Sequence, residues 1–448
     1  MFTHDWDTLT ADQRFEARMR AWREPDGVEF VTPEAAAAYR ERVGMIRAAV
    51  ELNKPARVPV SPHVGLFPAR CAGLSARDAY YDYGRFAQAM LEYHRTYEPD
   101  TLAGYITTVP CKAFDILDYK MYDWPGRGTD DNAGYQYNEA EYMKADEYAL
   151  LMTDPSAYWQ SRYLPRTFGA FEPMAELAPL TELLEMPFVA PFLMPYGTPP
   201  VQAMLKKLMA AGEAALEWFE VMSAAEREVM ATLGIPEFGG GASKAPYDIL
   251  GDTMRGTRAV MLDKFRRRGE LVEAMERLVP IAVDFGRRAA DATRNPFVFM
   301  PLHKGADGFL SHKDFEELYW PTLKAVILGL IEEGIVPQLF VEGAYDSRLD
   351  VIVDEDIPPG RTVWLFDATD MRAVRDHLAG FACFGGNVPG ALLQIGVAAE
   401  VEEYVKRLLA DVAGGGGFIL STGISVDQAR PENFMAMMDA GRRYGEAI

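Results

Sequence analysis

Along the chain, short apolar runs alternate with longer stretches whose apolar residues recur every three or four positions. Runs of the first kind, β-like in character, occupy residues 57–61, 101–107, 188–194, 297–302, 336–341, 362–366, 381–384 and 418–420. Amphipathic stretches at 315–333, 371–378 and 397–411 lie between the later runs and predict helices. Strands separated by helices pair in parallel through crossover connections, and about eight of them predict a closed (β/α)8, or TIM, barrel. Ahead of this rhythm, residues 1–55 predict a charged helical extension. Thr10 and Thr32 each precede an acidic first turn, and Pro33 takes the first helical position of the second helix. The barrel is expected over residues 56–448.

Two segments break the rhythm. Residues 111–165 are rich in Tyr, Asp and Glu, with a turn at Trp124, Pro125, Gly126, Arg127 and Gly128. They predict a lobe inserted over one end of the barrel. Its aromatics (Tyr119, Tyr122, Trp124, Tyr135, Tyr137) suit either the lobe's own core or a lid over an aromatic or apolar substrate. Residues 237–257 contain Gly239, Gly240 and Gly241, then Tyr247, Asp248, Arg255 and Gly256. Glycines so arranged predict a loop where backbone approaches a ligand, or a mobile connection.

Composition narrows the function. The 448 residues are 49% hydrophobic and 25% charged, ordinary globular proportions, and the formal net charge is −21. So acidic a surface repels phosphate backbones and anionic lipid, which argues against nucleic-acid and membrane partners. Cys71, Cys111 and Cys383 form no Cys-x-x-Cys pair, so neither a disulfide framework nor a zinc ribbon is expected. Residues 1–20 are polar and lack a signal peptide's apolar core, and no run is long enough to span a bilayer. A soluble cytoplasmic protein is the expectation.

In a barrel of this kind, chemistry gathers where strands end and βα loops begin. The residues there include Pro62 and His63; His303 and Lys304; Glu342, Tyr345 and Arg348; Asp367 and Asp370; Cys383 and Asn387; and Ser421 and Thr422. Each has a plain structural alternative. His303 would cap a strand, Asp370 a helix, Cys383 would be core, and Arg348 would pair with Asp346 or Asp350. The functional reading takes Glu342, Asp367 and His303 as catalytic, with His63, Tyr345, Arg348 and Asn387 contacting substrate. G-x-S-x-G, Walker A, Rossmann and H-E-x-x-H patterns are absent, and Gly414–Gly417 precedes a strand instead of a helix. Acid–base or metal-assisted chemistry at a barrel mouth is what survives.

At these residues the chain resembles the uroporphyrinogen decarboxylase superfamily. The resemblance rests on Ser311, Phe315, Tyr319, Trp320 and Pro321; on Gly386, Asn387, Val388 and Pro389 with Leu393 and Gly396; and on Gly416 to Ser421 followed by Pro431, Glu432 and Asn433. Arg57, Val58 and Pro59 extend it to the N-terminal side. It implies a (β/α)8 barrel, often dimeric. The family's members include cofactor-free porphyrinogen decarboxylases and zinc-dependent methyltransferases that work with corrinoid proteins. The decarboxylases' Arg-rich segment is reduced here to His63 through Arg70 with one Arg. The methyltransferases' His-x-Cys becomes Phe340, Val341 and Glu342, and their second Cys falls near Ile424. A remodelled zinc site from Glu342, Cys383 and either His63 or His303 would leave one position open.

The leading expectation is therefore a methyltransferase or demethylase. It would move a methyl group from a small methoxylated or methylated donor to a separate corrinoid protein or another acceptor. No D-x-H-x-x-G signature is present, so no corrinoid is expected on this chain itself. A cofactor-free decarboxylase or lyase, with Asp367 or Glu342 as general acid, is the alternative. A barrel that only binds a ligand is the third.

Overall fold

The computed structural model describes residues 6–104 and 108–446. We number the strands β1 (Tyr122–Pro125), β2 (Gly128–Thr129), β3 (Gln136–Tyr137), β4 (Gly241–Ala242), β5 (Phe297–Leu302), β6 (Val336–Val341), β7 (Val363–Phe366), β8 (Cys383–Val388) and β9 (Phe418–Thr422). β4 to β9 form one sheet in sequence order, every neighbouring pair parallel. β6, β7 and β9 are buried throughout, as expected of parallel strands covered on both faces.

The sheet closes through two shorter segments. Val60 bridges Leu420 of β9 in parallel, Asp100 N–H donates to Val60 O (2.9 Å), and Leu102 bridges Glu237 just before β4. Six strands and these two segments complete the eight positions of a (β/α)8 barrel. Residues 105–107, the end of the second predicted run, lie outside the described residues. Among the described residues, no helix is long and apolar enough to cross a membrane.

One predicted strand is corrected. Residues 188–194 lie mostly in a helix, Met186–Leu193, followed by a 3-10 turn, and only Phe192 of that helix is buried. A short apolar run does not tell helix from strand, and Pro187 in the first turn favours helix initiation. The vacated barrel position goes to 237–243, read from sequence as a loop. Its glycines serve close packing: a Cβ on Gly240 would stand 2.3 Å from Asn295, and one on Gly241 2.3 Å from Ala289.

Helices Ala11–Arg23 and Pro33–Val50, capped by Thr10 and Thr32 as predicted, close the N-terminal end of the barrel. Phe15, Met19, Trp22, Tyr39 and Ile46 pack on Phe297, Val336, Val363 and Cys383, the first residues of four strands. Fully buried Arg18 ties this plug down by donating to Glu333 O (2.8 Å) and Asp291 (2.7 Å). The opposite end carries β1 to β3, a small sheet within residues 111–165.

Candidate active site

Directly after β4 come Lys244 and the short helix Pro246–Asp248, which continues as the π-helical turn Ile249–Met254. Asp248 and Asp252, one turn apart, face the C-terminal end of β5. A π-turn is an uncommon element that recurs at functional sites. Here it carries one of the two carboxylates that engage the residues following β5.

Asp248 is fully buried and saturated. It accepts the backbone N–H of His303 (3.1 Å) and of Lys304 (2.9 Å) and the hydroxyl of Tyr319 (2.7 Å). That grip fixes the turn after β5 and aims the His303 ring at Asp252, with Nδ1 2.6 Å from Oδ2. Lys244 Nζ meets the same carboxylate at 2.7 Å and Lys304 Nζ at 3.1 Å. On the other side of the ring, Nε2 lies 3.4 Å from Glu342 Oε1, at the end of β6. The Asp252 side chain is 12% exposed and that of Glu342 51%, so Nδ1 points into protein and Nε2 toward the open mouth.

Burial alone would lower the His303 pKa, but hydrogen bonds and charge from Asp252 and Glu342 outweigh it and raise it to about 9. His303 is an imidazolium at neutral pH, and both ring nitrogens donate. Burial would raise Asp252, yet His303 and Lys244 hold it well below the usual carboxylate range. Burial, together with the Asp252 charge, lifts Asp248 to about 6. Asp367, after β7, accepts Gly343 N–H (3.1 Å) and is raised chiefly by burial, with Glu342 adding to it.

His63 lies beneath this rim inside the barrel, its ring 4.8 Å from Phe340 and 5.7 Å from Phe299. Burial lowers it to about 4, so it is neutral. Above, the inserted lobe leans on the β4 connection. Tyr137 donates its hydroxyl to Asp252 O, and Met143 N–H donates to Met254 O (2.7 Å). The rings of Tyr135 and Tyr137 stand 5.5 and 5.4 Å from Tyr122. The Tyr135 hydroxyl, raised first by burial, also feels the charges of Tyr122, Asp427 and Glu342.

The structure thus brings together His303, Glu342 and Asp367, with His63 below them. Four other sequence candidates fall elsewhere. Tyr345 is wholly buried behind the rim, edge-on to Phe315, and a Cβ on Gly305 would stand 2.0 Å from its hydroxyl. Arg348 is 1% exposed and spends its guanidinium on Gly305 O (3.2 Å), Leu310 O, Ser347 Oγ (3.0 Å) and Asp307 (3.3 Å), which ties loops and leaves no fork for substrate. Asn387 donates to Asp367 O (3.0 Å) and Thr369 O (3.2 Å) and accepts from Tyr404 (2.8 Å). Asp370 caps the helix Met371–Leu378.

Cys383 opens β8 instead of ending it. Five residues of strand, roughly 16 Å, separate it from the rim. It is fully buried in the apolar plug, and burial raises its thiol. The zinc set Glu342, Cys383 and His303 therefore does not assemble. Among the described residues, no three His, Cys, Asp or Glu are grouped to hold a metal ion. The Asp252–His303–Glu342 series is a chain through the imidazole, with its nitrogens turned to carboxylates on opposite sides.

Asp252 and Lys244 escaped the sequence reading, and Asp248 and Lys304 were met there without a role, one in the 237–257 segment and the other at a strand end. The signal available was the four-residue spacing of the two aspartates on a helical face, immediately after the glycine run.

A family model described as uroporphyrinogen decarboxylase (URO-D) matches residues 198–444, more than half of the chain. The chain belongs to the uroporphyrinogen decarboxylase family. That match spans β4 to β9 and therefore every residue of the His303 cluster. Among solved structures, the chain resembles a methyltransferase from Methanosarcina mazei at 11% identity and a TM-score of 0.57, covering 91% of this chain and 98% of that one. At such identity the likeness speaks for the shared barrel fold. A B12-independent methionine synthase from Shewanella sp. W3-18-1, in complex with selenomethionine, aligns over 46% of this chain and 60% of its own. Its identity is 10% and its TM-score 0.32, which carries no argument. No curated protein matches the sequence.

Proposed function

We propose that this uroporphyrinogen decarboxylase family member is a methyltransferase-type enzyme. It removes a methyl group from a small methoxylated or methylated donor and delivers it to a separate acceptor, a corrinoid protein or another nucleophile. His303 is the general acid. The observation that carries the reading is the imidazolium held between Asp252 and Glu342 with Nε2 toward the mouth. The full-length fold likeness to the M. mazei methyltransferase supports it.

The step follows from the geometry. Methyl ethers resist cleavage because the leaving alkoxide or phenoxide is a strong base. Nε2 delivers its proton to the leaving oxygen as the C–O bond breaks, and the acceptor's electron pair takes the methyl carbon. His303 is left neutral and regains a proton from solvent, which the paired carboxylates favour. Asp252 holds the tautomer and orientation, and Asp248 holds the backbone beneath. Tyr122, Tyr135 and Tyr137 line the approach and exclude water from an aromatic or apolar donor.

The experiment is a screen of methyl ethers and methylated amines or thiols, with free reduced cobalamin or a thiol as acceptor, for wild type and His303→Gln. Turnover by wild type that falls about 10²- to 10⁴-fold in the variant is expected for a lost general acid. Carbon dioxide release from carboxylated substrates, without methyl loss from any donor, would move the enzyme to decarboxylation with the same imidazolium as proton donor to carbon.

A further inference from the structure

Beneath His303 the barrel interior is not filled. Ala242 of β4 pairs with Phe299 of β5, so both side chains face inward, while Gly241 and Ser243 turn outward against the helix Arg268–Thr293. Inward positions of such a barrel are ordinarily packed with large side chains in layers. Ala242 is nonetheless exposed, and Phe299 and His63 keep partial exposure. A slot therefore descends from the mouth between Ala242, Phe299, Phe340 and His63. Phe340 lies two residues before Glu342 on the same face of the chain, which sets the slot one layer, roughly 7 Å, below the contact of His303 with Glu342.

His63 brings a polar group to this wall, and it differs from the other described histidines. His94 is hydrogen-bonded at both nitrogens, to Met90 O (2.7 Å) and Ala103 N–H (3.0 Å), and both nitrogens of His303 face carboxylates. His312 and His377 each hold a backbone carbonyl through Nδ1, at 2.7 and 2.8 Å. The His63 ring has no hydrogen-bond partner among the described residues, and lies instead against the rings of Phe299 and Phe340. Neither of its nitrogens is sealed in protein. A polar ring left unpaired in an apolar recess costs free energy until something entering supplies the missing bond. Burial keeps the ring neutral, so it offers one N–H and one bare nitrogen and no charge.

We propose that His63 is a specificity-determining residue, the anchor of a subsite for a hydroxyl group carried by a ring-bearing donor at the end opposite its methyl group. A hydroxyl both donates and accepts, as a neutral imidazole does. The donor's ring lies against Phe299 and Phe340 in the space left by Ala242, and the hydroxyl below it meets His63. A ring without a hydroxyl fits the same slot but leaves His63 unpaired. The inference rests on the methyl-removal reading only for which end of the donor stands at His303.

The test is binding to the full chain, with phenol and toluene as probes, since toluene puts a methyl where phenol has its hydroxyl. The nitrogen-15 resonances of the His63 ring, identified by their loss in His63→Phe, report occupancy, and ligand-observed NMR gives the affinities. Phenol is expected to shift those resonances and to bind about tenfold more tightly than toluene. His63→Phe keeps a ring without nitrogens and brings the two probes to within about threefold of each other. Ala242→Leu, which fills exposed space and leaves the unfolding temperature unchanged, weakens both at least about tenfold. His63 resonances unmoved by ~10 mM phenol, toluene binding wild type as tightly as phenol, a phenol preference that survives His63→Phe, or binding indifferent to Ala242→Leu would each overturn the proposal. The wild-type comparison decides it even where a substituted chain fails to fold. Phenol held at His63 in an enzyme that demethylates no donor would refute the catalytic reading alone. Methyl transfer indifferent to a hydroxyl on the donor's ring would refute the subsite alone.

Discussion

Asp252→Asn removes the charge that anchors His303 while keeping the side chain's shape. In the wild type, His303 is raised from an ordinary value near 6.5 to about 9. A shift of that size corresponds to on the order of 3 kcal/mol of interaction favouring the imidazolium, at 1.36 kcal/mol per pKa unit. The sign fixes the pH window. A group whose folded pKa is raised adds stability that is fully present below its unfolded pKa, near 6.5, and is lost as pH rises through about 9. Wild type should therefore lose stability between pH 6.5 and 9 relative to Asp252→Asn, by at most those ~3 kcal/mol. Nitrogen-15 NMR titration reads the same quantity directly, and with six histidines in the chain the spectrum is tractable. One imidazole should titrate near 9 in wild type and move below about 7 in the variant, where burial is opposed by Glu342 alone. If every histidine titrates below 7.5 in wild type, or the high value survives Asp252→Asn, the reasoning fails.

Two further outcomes follow from where side chains sit. Cys383→Ala should cost about 1 kcal/mol of stability by denaturant unfolding, from the lost buried sulfur, and leave turnover and metal content unchanged; a loss of activity at full stability would return Cys383 to the site. Tyr135→Ala should raise KM for an aromatic donor several-fold with little change in kcat, measured by initial rates, because its ring lines the approach and touches no proton in flight.

The barrel was legible because its signal is redundant. Strands β5, β6, β7 and β9 are apolar runs flanked by amphipathic helices, and Thr10 and Thr32 announce their helices by capping chemistry. What misled was the equivalence of short apolar runs. The segment at 188–194 is as apolar as any strand, and only its lack of a pairing partner makes it an exposed helix. Conversely, 237–243 has too few side chains to read as a strand, because a neighbouring helix and Asn295 leave room only for glycine. Within the site, His303, Glu342 and Asp367 were visible as polar residues ending apolar strands. Arg348, Tyr345 and Asn387 share that signature, yet Arg348 and Asn387 tie loops together and Tyr345 packs behind the rim against Phe315. Sequence places a residue near a rim, but side-chain direction depends on neighbours such as Gly305 that admit or refuse a ring. Cys383 was misplaced by one boundary: β8 begins where the apolar run was expected to end.

The central claim is that His303 is a general acid for methyl removal. A donor labelled with deuterium in its methoxy group and with carbon-13 in a carboxylate, followed by mass spectrometry with wild type and His303→Gln, tests it most directly. The account predicts that wild type releases the labelled methyl to the acceptor and retains the carboxylate carbon, with a rate that declines above about pH 9 and is largely lost in the variant. Labelled carbon dioxide with the methyl group intact, or methyl loss that survives His303→Gln, would contradict it.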